Sequence, residues 1–229
     1  MIVEPRYNGP AESGNGGWTC GLVAEAVGQP ADVMLLSPPP IDTPLTVARD
    51  GSLIRVYTPD ETLVAEAAPT DVGDDAVVPP VDWDDAVAAS ARYPGFTSHP
   101  FPTCFVCGPQ RAPGDGLRLF PGRLDDGRTA TPWVAPADIS PTMMWAALDC
   151  PGGWSVGVEA RPYVLGRMAA RVEAVPAPGE HCVITGRTLE QSGRKAVVAS
   201  TVYGADRRVL ARARAVWVAL RVTPGGTPD

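Results

Sequence analysis

"SGNGGWTCGLVAEAVG", residues 13–28, decides how the rest of the chain is read. Glycines bracket Asn15, and behind them runs a helix-like string of small and apolar residues with no polar face. A surface helix keeps one polar side, so this one is expected to meet protein on nearly every side. Cys20, Gly21, Ala24, Ala26 and Gly28 keep it slim enough for neighbouring backbone to come close. "SPTMMWAALDCPGGWS", residues 140–155, repeats the character, with Ala146, Ala147 and Cys150 as its small positions.

Strand patterns follow each of these helices. After the first come "ADVMLLS" (31–37), "PLTVAR" (44–49), "SLIRVYT" (52–58) and "TLVAEAA" (62–68), short apolar runs bounded by Pro, Gly and Asp. After the second come "RPYVLGRMAARVEAV" (161–175), "HCVITGRTLE" (181–190), "KAVVASTVYG" (195–204) and "VLARARAVWVAL" (209–220). The opening of the last, "VLARARA", echoes "LVAEAA" in the first half, so each half reads as one buried helix followed by four strands. That is the mark of an internal duplication. The expected organisation is a first unit over residues 1–75, an acidic, proline-bearing connector over 76–102, a second unit over 103–223 and a tail over 224–229. The connector is expected to carry one short helix in "DWDDAVAASARY" (82–93).

Composition bounds the function. A 229-residue chain with 45% hydrophobic residues is long enough to bury a substantial core. It contains no apolar run of about 18 residues, which predicts no membrane span. "MIVEPRYNGP" lacks a basic stretch leading into an apolar one, so no signal peptide is expected. Five cysteines, an odd number, suit reduced thiols in a cytoplasm. The net charge of -7 argues against a nucleic-acid partner. The charge is lopsided: residues 1–100 hold 4 Lys/Arg against 15 Asp/Glu, and the remainder 15 against 11. The second half therefore offers arginines to an anionic ligand, with solvated strand faces as the plain alternative.

The glycine-led helices and their spacing resemble the acyl-CoA thioesterase hotdog superfamily. Many of its members start the helix with His-Gly-Gly, carry an acidic residue nine positions after the His, and often a Gly four beyond that. In the first unit Asn15-Gly16-Gly17 falls on the His-Gly-Gly and Gly28 on the closing glycine, while Ala24 stands at the acidic position with Glu25 one step late. In the second unit Ser140-Pro141-Thr142 replaces His-Gly-Gly, but Asp149 and Gly153 keep their places. "CFVCGP" (104–109) with "GDGLRLF" (114–120) is similar to the family's Cys-x-x-Cys-Gly entry. The resemblance implies an α+β double hotdog: two curved antiparallel sheets, each wrapped around a central buried helix. Two unrelated α+β domains with core helices are the competing arrangement.

In hotdog pairs, the resemblance implies, each site takes its Gly-Gly helix start from one unit and its carboxylate from the other. Asn15, Gly16, Gly17 and Asp149 then make one complete site, and Ser140-Pro141-Thr142 with Glu25 a relic. Glycines at a helix start leave N–H groups open at the positive end of the dipole, where a thioester carbonyl becoming an oxyanion gains hydrogen bonds. Asn15 orients the carbonyl or a water, or merely caps the helix. Asp149 acts as general base or as a nucleophile giving a mixed anhydride. Trp18, Trp145 and Gly153 are candidates to line an acyl pocket, and Arg118, Arg161, Arg167 and Arg194 to meet CoA phosphates.

Other chemistry is sparse. With only His99 and His181, and no Gly-x-Ser-x-Gly, a serine hydrolase triad has little to work with. Asp149 lacks the helix histidine of hotdog hydratases. Cys104-x-x-Cys107 has His99 five residues before it, and a zinc site would need a fourth ligand, Cys150 or Cys182, brought in by the fold. No metal and no cofactor are expected, and no thioredoxin-like pattern surrounds the pair. The sequence thus points to a cytoplasmic hydrolase of an acyl thioester, acyl-CoA before others. Its rivals are a non-catalytic acyl-CoA binding protein and a structural subunit. Double hotdogs stand alone or pair further, which leaves a homo-oligomer open.

Overall fold

A computed structural model describes residues 1–28 and 30–221, so the expected tail at 224–229 and residues 222–223 lie outside it. The first glycine-led stretch forms α1, Gly16–Val27, and the second forms α3, Pro141–Trp154. Strands β1 (Ala31–Leu35), β2 (Thr46–Asp50), β3 (Leu53–Tyr57) and β4 (Leu63–Pro69) follow α1. The short helix α2 spans Trp83–Ser90. Strands β5 (Gly122–Arg123) and β6 (Thr129–Val134) precede α3, and β7 (Tyr163–Val172), β8 (His181–Ser192), β9 (Lys195–Tyr203) and β10 (Val209–Ala219) follow it.

All ten strands join one antiparallel sheet in the order β2-β3-β4-β1-β7-β10-β9-β8-β6-β5. This corrects the expectation of two sheets. The two halves meet where β1 pairs with β7, Ala31 opposite Ala170 and Val33 opposite Met168. Those four side chains are buried on the helix side. On the other face Arg167 reaches across the seam to Asp32. Outward from that seam the order reads alike in both directions: the first strand after the helix, then the fourth, third and second. One apolar core spans the halves, taking Val33 and Val56 from one and Met144 and Ile184 from the other.

Strands β5 and β6 are additions to the expected four. Pro132 sits inside β6 and cannot donate to a ladder, a cue that hid the strand. It is tolerated because β5 pairs only with Thr129 and Ala130, leaving Pro132 on an open edge. Helix α2 covers the opposite face of the sheet, where Ala86 and Ala89 pack on Ala130 and Val183. The 76–102 stretch is therefore fastened to the second half, with Val78 N–H donating to Thr201 Oγ1 at 2.9 Å.

Helices α1 and α3 lie antiparallel against each other. A Cβ on Gly17 would stand 2.6 Å from Asp149 Cβ and 2.8 Å from Trp145 O, and one on Gly21 would stand 2.9 Å from Thr142 Cα. These glycines are thus needed for helix contact, because backbone on the far side has no room to give. Gly21→Ala is expected to lower stability by about 1–3 kcal/mol, the usual cost of overpacking. Urea unfolding of the variant beside wild type measures it, and an unchanged midpoint would show that the helices separate easily.

Candidate functional site

The start of α1 and the middle of α3 meet in one hydrogen-bonded group. Asn15 caps α1, its Oδ1 accepting from Trp18 N–H at 2.8 Å. Its Nδ2 donates to Asp149 Oδ2 at 3.0 Å, and Gly17 N–H donates to the same oxygen, also at 3.0 Å. Asn15 is 3% and Asp149 2% exposed. Asp149 Oδ1 is buried and has no partner among the described residues. Burial pushes the Asp149 carboxyl up to about 7, against the pull of Gly17 N–H; nearby Cys104 adds to the rise and Asn15 opposes it.

The fold brings together Asn15, Gly17 and Asp149, and Gly16 stands beside them. The expectation that both glycine N–H groups lie open is corrected: Gly17 N–H is taken by the carboxylate. Gly16 N–H, at the first helical position, has no intrahelical partner. Gly16 is only half-buried, yet a Cβ there would meet Leu165 Cβ of β7 at 2.7 Å. Trp145, Asp149 and Gly153 follow at four-residue intervals on one side of α3. Trp145 is fully buried with its Nε1 unpartnered among the described residues. Gly153 is packed against the Trp217 ring, where a Cβ would come within 2.4 Å, so it is a packing glycine. Trp18 stacks on Tyr7 at 3.6 Å between ring centroids, with Phe105 edge-on to both.

The four candidate arginines do not form one cluster. Arg167 is paired with Asp32 at the seam, and Arg118 lies over Phe120. Arg161 and Arg194 do share one end of the sheet: Arg194 Nε donates to Ala219 O, and Leu220 N–H to Pro162 O. The opposite helix pairing, read from the sequence as a relic, is also a contact. Thr142 Oγ1 bonds Glu25 Oε1, and Ser140 Oγ accepts from Met143 N–H at 3.2 Å, as Asn15 does from Trp18. Glu25, expected on a buried surface, is exposed.

Sequence reasoning missed what covers Asp149. All five cysteines are unpaired and buried, and Cys104 and Cys107 are held against Cys150 of α3, their Sγ atoms within 4.8 Å of one another. Asn15 Nδ2 also approaches Cys104 Sγ at 3.8 Å, linking the thiols to the carboxylate. The signal was the Cys-x-x-Cys; its partner in α3 lay beyond any spacing rule.

No family model and no curated protein matches the sequence. Solved structures do resemble it. A hot dog fold protein of unknown function from Alicyclobacillus acidocaldarius aligns with TM-score 0.61 at 15% identity, covering 96% of this chain and 92% of that one. A candidate thioesterase from Novosphingobium aromaticivorans gives 0.58 at 18% identity, covering 95% and 93%. A candidate oleoyl thioesterase from Lactobacillus plantarum gives 0.57 at 9% identity, covering 97% and 95%. At these identities the likeness establishes the fold alone: the chain has the hotdog fold. No described helix is long and apolar enough to cross a membrane.

The amide of Asn15 donates a hydrogen bond to Asp149 and accepts one from Trp18 N–H. Asn15→Asp keeps the cap but turns the donor into a second carboxylate oxygen facing Asp149. A loss of at least about 2 kcal/mol is expected, from a buried acceptor left facing an acceptor. Chemical unfolding checks this, with Asn15→Ser as the milder comparison; equal stability of Asn15→Asp and wild type would show that the amide is not a donor here.

Proposed function

We propose that this chain is a double hotdog that hydrolyses an acyl thioester, acyl-CoA before others, at one composite site between its units, 1–75 and 103–223. The observation that carries the reading is the joining of Asn15 Nδ2 and Gly17 N–H, from α1, on Asp149 Oδ2, from α3. These are the positions at which the resemblance would require a helix start and a carboxylate. The thioesterase descriptions of similar structures support the reaction class.

In this reading the thioester carbonyl approaches the half-buried Gly16, whose N–H takes the developing oxyanion. With Oδ2 held by two donors, Oδ1 is the atom that receives the proton of the attacking water. The carbonyl carbon gains the hydroxyl, the thiolate leaves, and the proton on Asp149 returns to the thiolate sulfur. Direct attack by Oδ1 is the alternative: the C–S bond breaks as the acyl anhydride forms, the thiolate leaves and takes a proton from solvent, and water then opens the anhydride. Trp145 and Trp18 border the acyl side. Arg161 and Arg194, together at one sheet end, are the better placed of the four arginines for CoA phosphates. The thioester substrate and five reduced thiols support a cytoplasmic setting.

A second reading, acyl-CoA binding without turnover, draws on the near-complete burial of Asn15 and Asp149. Turnover of an acyl-CoA panel separates the two. In the hydrolase reading Asp149→Asn loses ~10²-fold or more in turnover, the contribution of a positioned acid-base group, while Glu25→Gln stays within a few-fold of wild type. Activity abolished by Glu25→Gln and spared by Asp149→Asn would move the site to the other helix pairing. Ligand-induced thermal stabilisation with no turnover would establish the binding reading.

A further inference from the structure

Residues 97–121 run as turns and bends without helix or strand, yet Cys104, Phe105, Val106, Cys107 and Gly108 within them are buried. A loop longer than about 15 residues with no structure of its own is uncommon in a compact domain. Backbone bonds such as Phe105 N–H to Asn8 O tie it to the first half, and its two cysteines meet Cys150 of α3. We propose that Cys104, Cys107 and Cys150 bind one soft, thiophilic cation, of the zinc or cuprous type, that fastens residues 97–121 to α3.

The geometry around the sulfurs carries this. Ligand sulfurs about 2.3 Å from an ion lie about 4 Å apart, and these three already lie within 4.8 Å. The Cys104–Cys107 turn is tight: Gly108 N–H donates to Cys104 O at 2.9 Å, and a Cβ on Gly108 would stand 2.6 Å from Cys104 N. Asn15 Nδ2 reaches Cys104 Sγ, while Trp154 Nε1 donates to Cys107 Sγ at 3.4 Å. His99 completes the set. Its Nδ1 accepts from Phe101 N–H at 2.9 Å, which leaves the proton on Nε2, 3.4 Å from Cys107 Sγ. His99 is therefore a donor to sulfur and stands outside the ligand set.

Three N–H groups thus converge on two sulfurs. A neutral thiol is a weak acceptor, so such a shell suits sulfur that carries charge and belongs to a metal centre. An all-thiolate set selects soft ions such as zinc and monovalent copper. Three protein ligands leave a fourth position for an exogenous ligand on zinc, or a trigonal arrangement for copper. On binding, each thiol still protonated releases its proton to solvent as its metal–sulfur bond forms, and no electron is transferred. This replaces the sequence-based expectation of no metal, because the third thiol arrives only with the fold. It is independent of whether Asp149 turns over a thioester.

The test is elemental analysis of the full chain purified under reducing, chelator-free conditions. About one zinc or copper per chain is expected, falling to less than about a tenth in Cys107→Ser and Cys150→Ser and unchanged in Cys182→Ser. Should the cysteine variants fail to fold, X-ray absorption at the metal edge of wild type decides, with three sulfurs at about 2.3 Å expected. Two results would overturn the site. One is wild type that is metal-free and takes up neither added Zn²⁺ nor Cu⁺; the other is a bound metal whose shell holds only nitrogen and oxygen, or that Cys150→Ser retains.

Discussion

The close approach of α1 to α3 at Gly17 and Gly21 is the constraint on which the rest depends. Two helices pressed together at glycine leave no space for water between them, so any polar group at the crossing must find its partners inside the protein. Asp149 does so only in part. Its Oδ2 takes both the N–H of the glycine that permits the contact and the amide of the residue capping α1. One substitution at Gly17 would therefore disturb packing and hydrogen bonding together, since the same atoms serve both.

That arrangement carries an electrostatic cost which the surroundings manage. A buried carboxylate with one bare oxygen is unfavourable, and the carboxyl answers by holding its proton to higher pH. The loop bearing Cys104 and Cys107 closes over the same place, with Asn15 touching both the carboxylate and Cys104 sulfur. The thiols and the carboxylate share one donor, the Asn15 amide. Whatever settles charge on the sulfurs is felt at Asp149.

The two ends of the helix pair differ. At one end Asn15 and Asp149 are buried, with Cys104 of the 97–121 loop against Asn15; at the other Thr142 holds Glu25 at the surface. Both caps use the same side-chain contact to the third residue of the helix. The difference lies in what covers them, because only the Asp149 end receives the 97–121 loop.

Much of this was legible in the chain itself. Apolar runs between Pro, Gly and Asp marked eight of the ten strands, since strand periodicity is local. The absence of a polar face marked both helices as buried, since burial acts on composition residue by residue. Strand β6 escaped because Pro132 contradicts the local pattern and only an open sheet edge excuses it, and β5, two residues long, is too short to show a pattern. Three matters belonged to the tertiary structure alone. The joining of β1 to β7 made one sheet of two halves through pairing between residues far apart in sequence. The same long-range contacts turned Gly17 N–H from an open donor into a partner of Asp149. They also carried Cys150 to the Cys-x-x-Cys, because a helix brings a side chain to a distant loop by its packing angle, which no spacing in the sequence encodes.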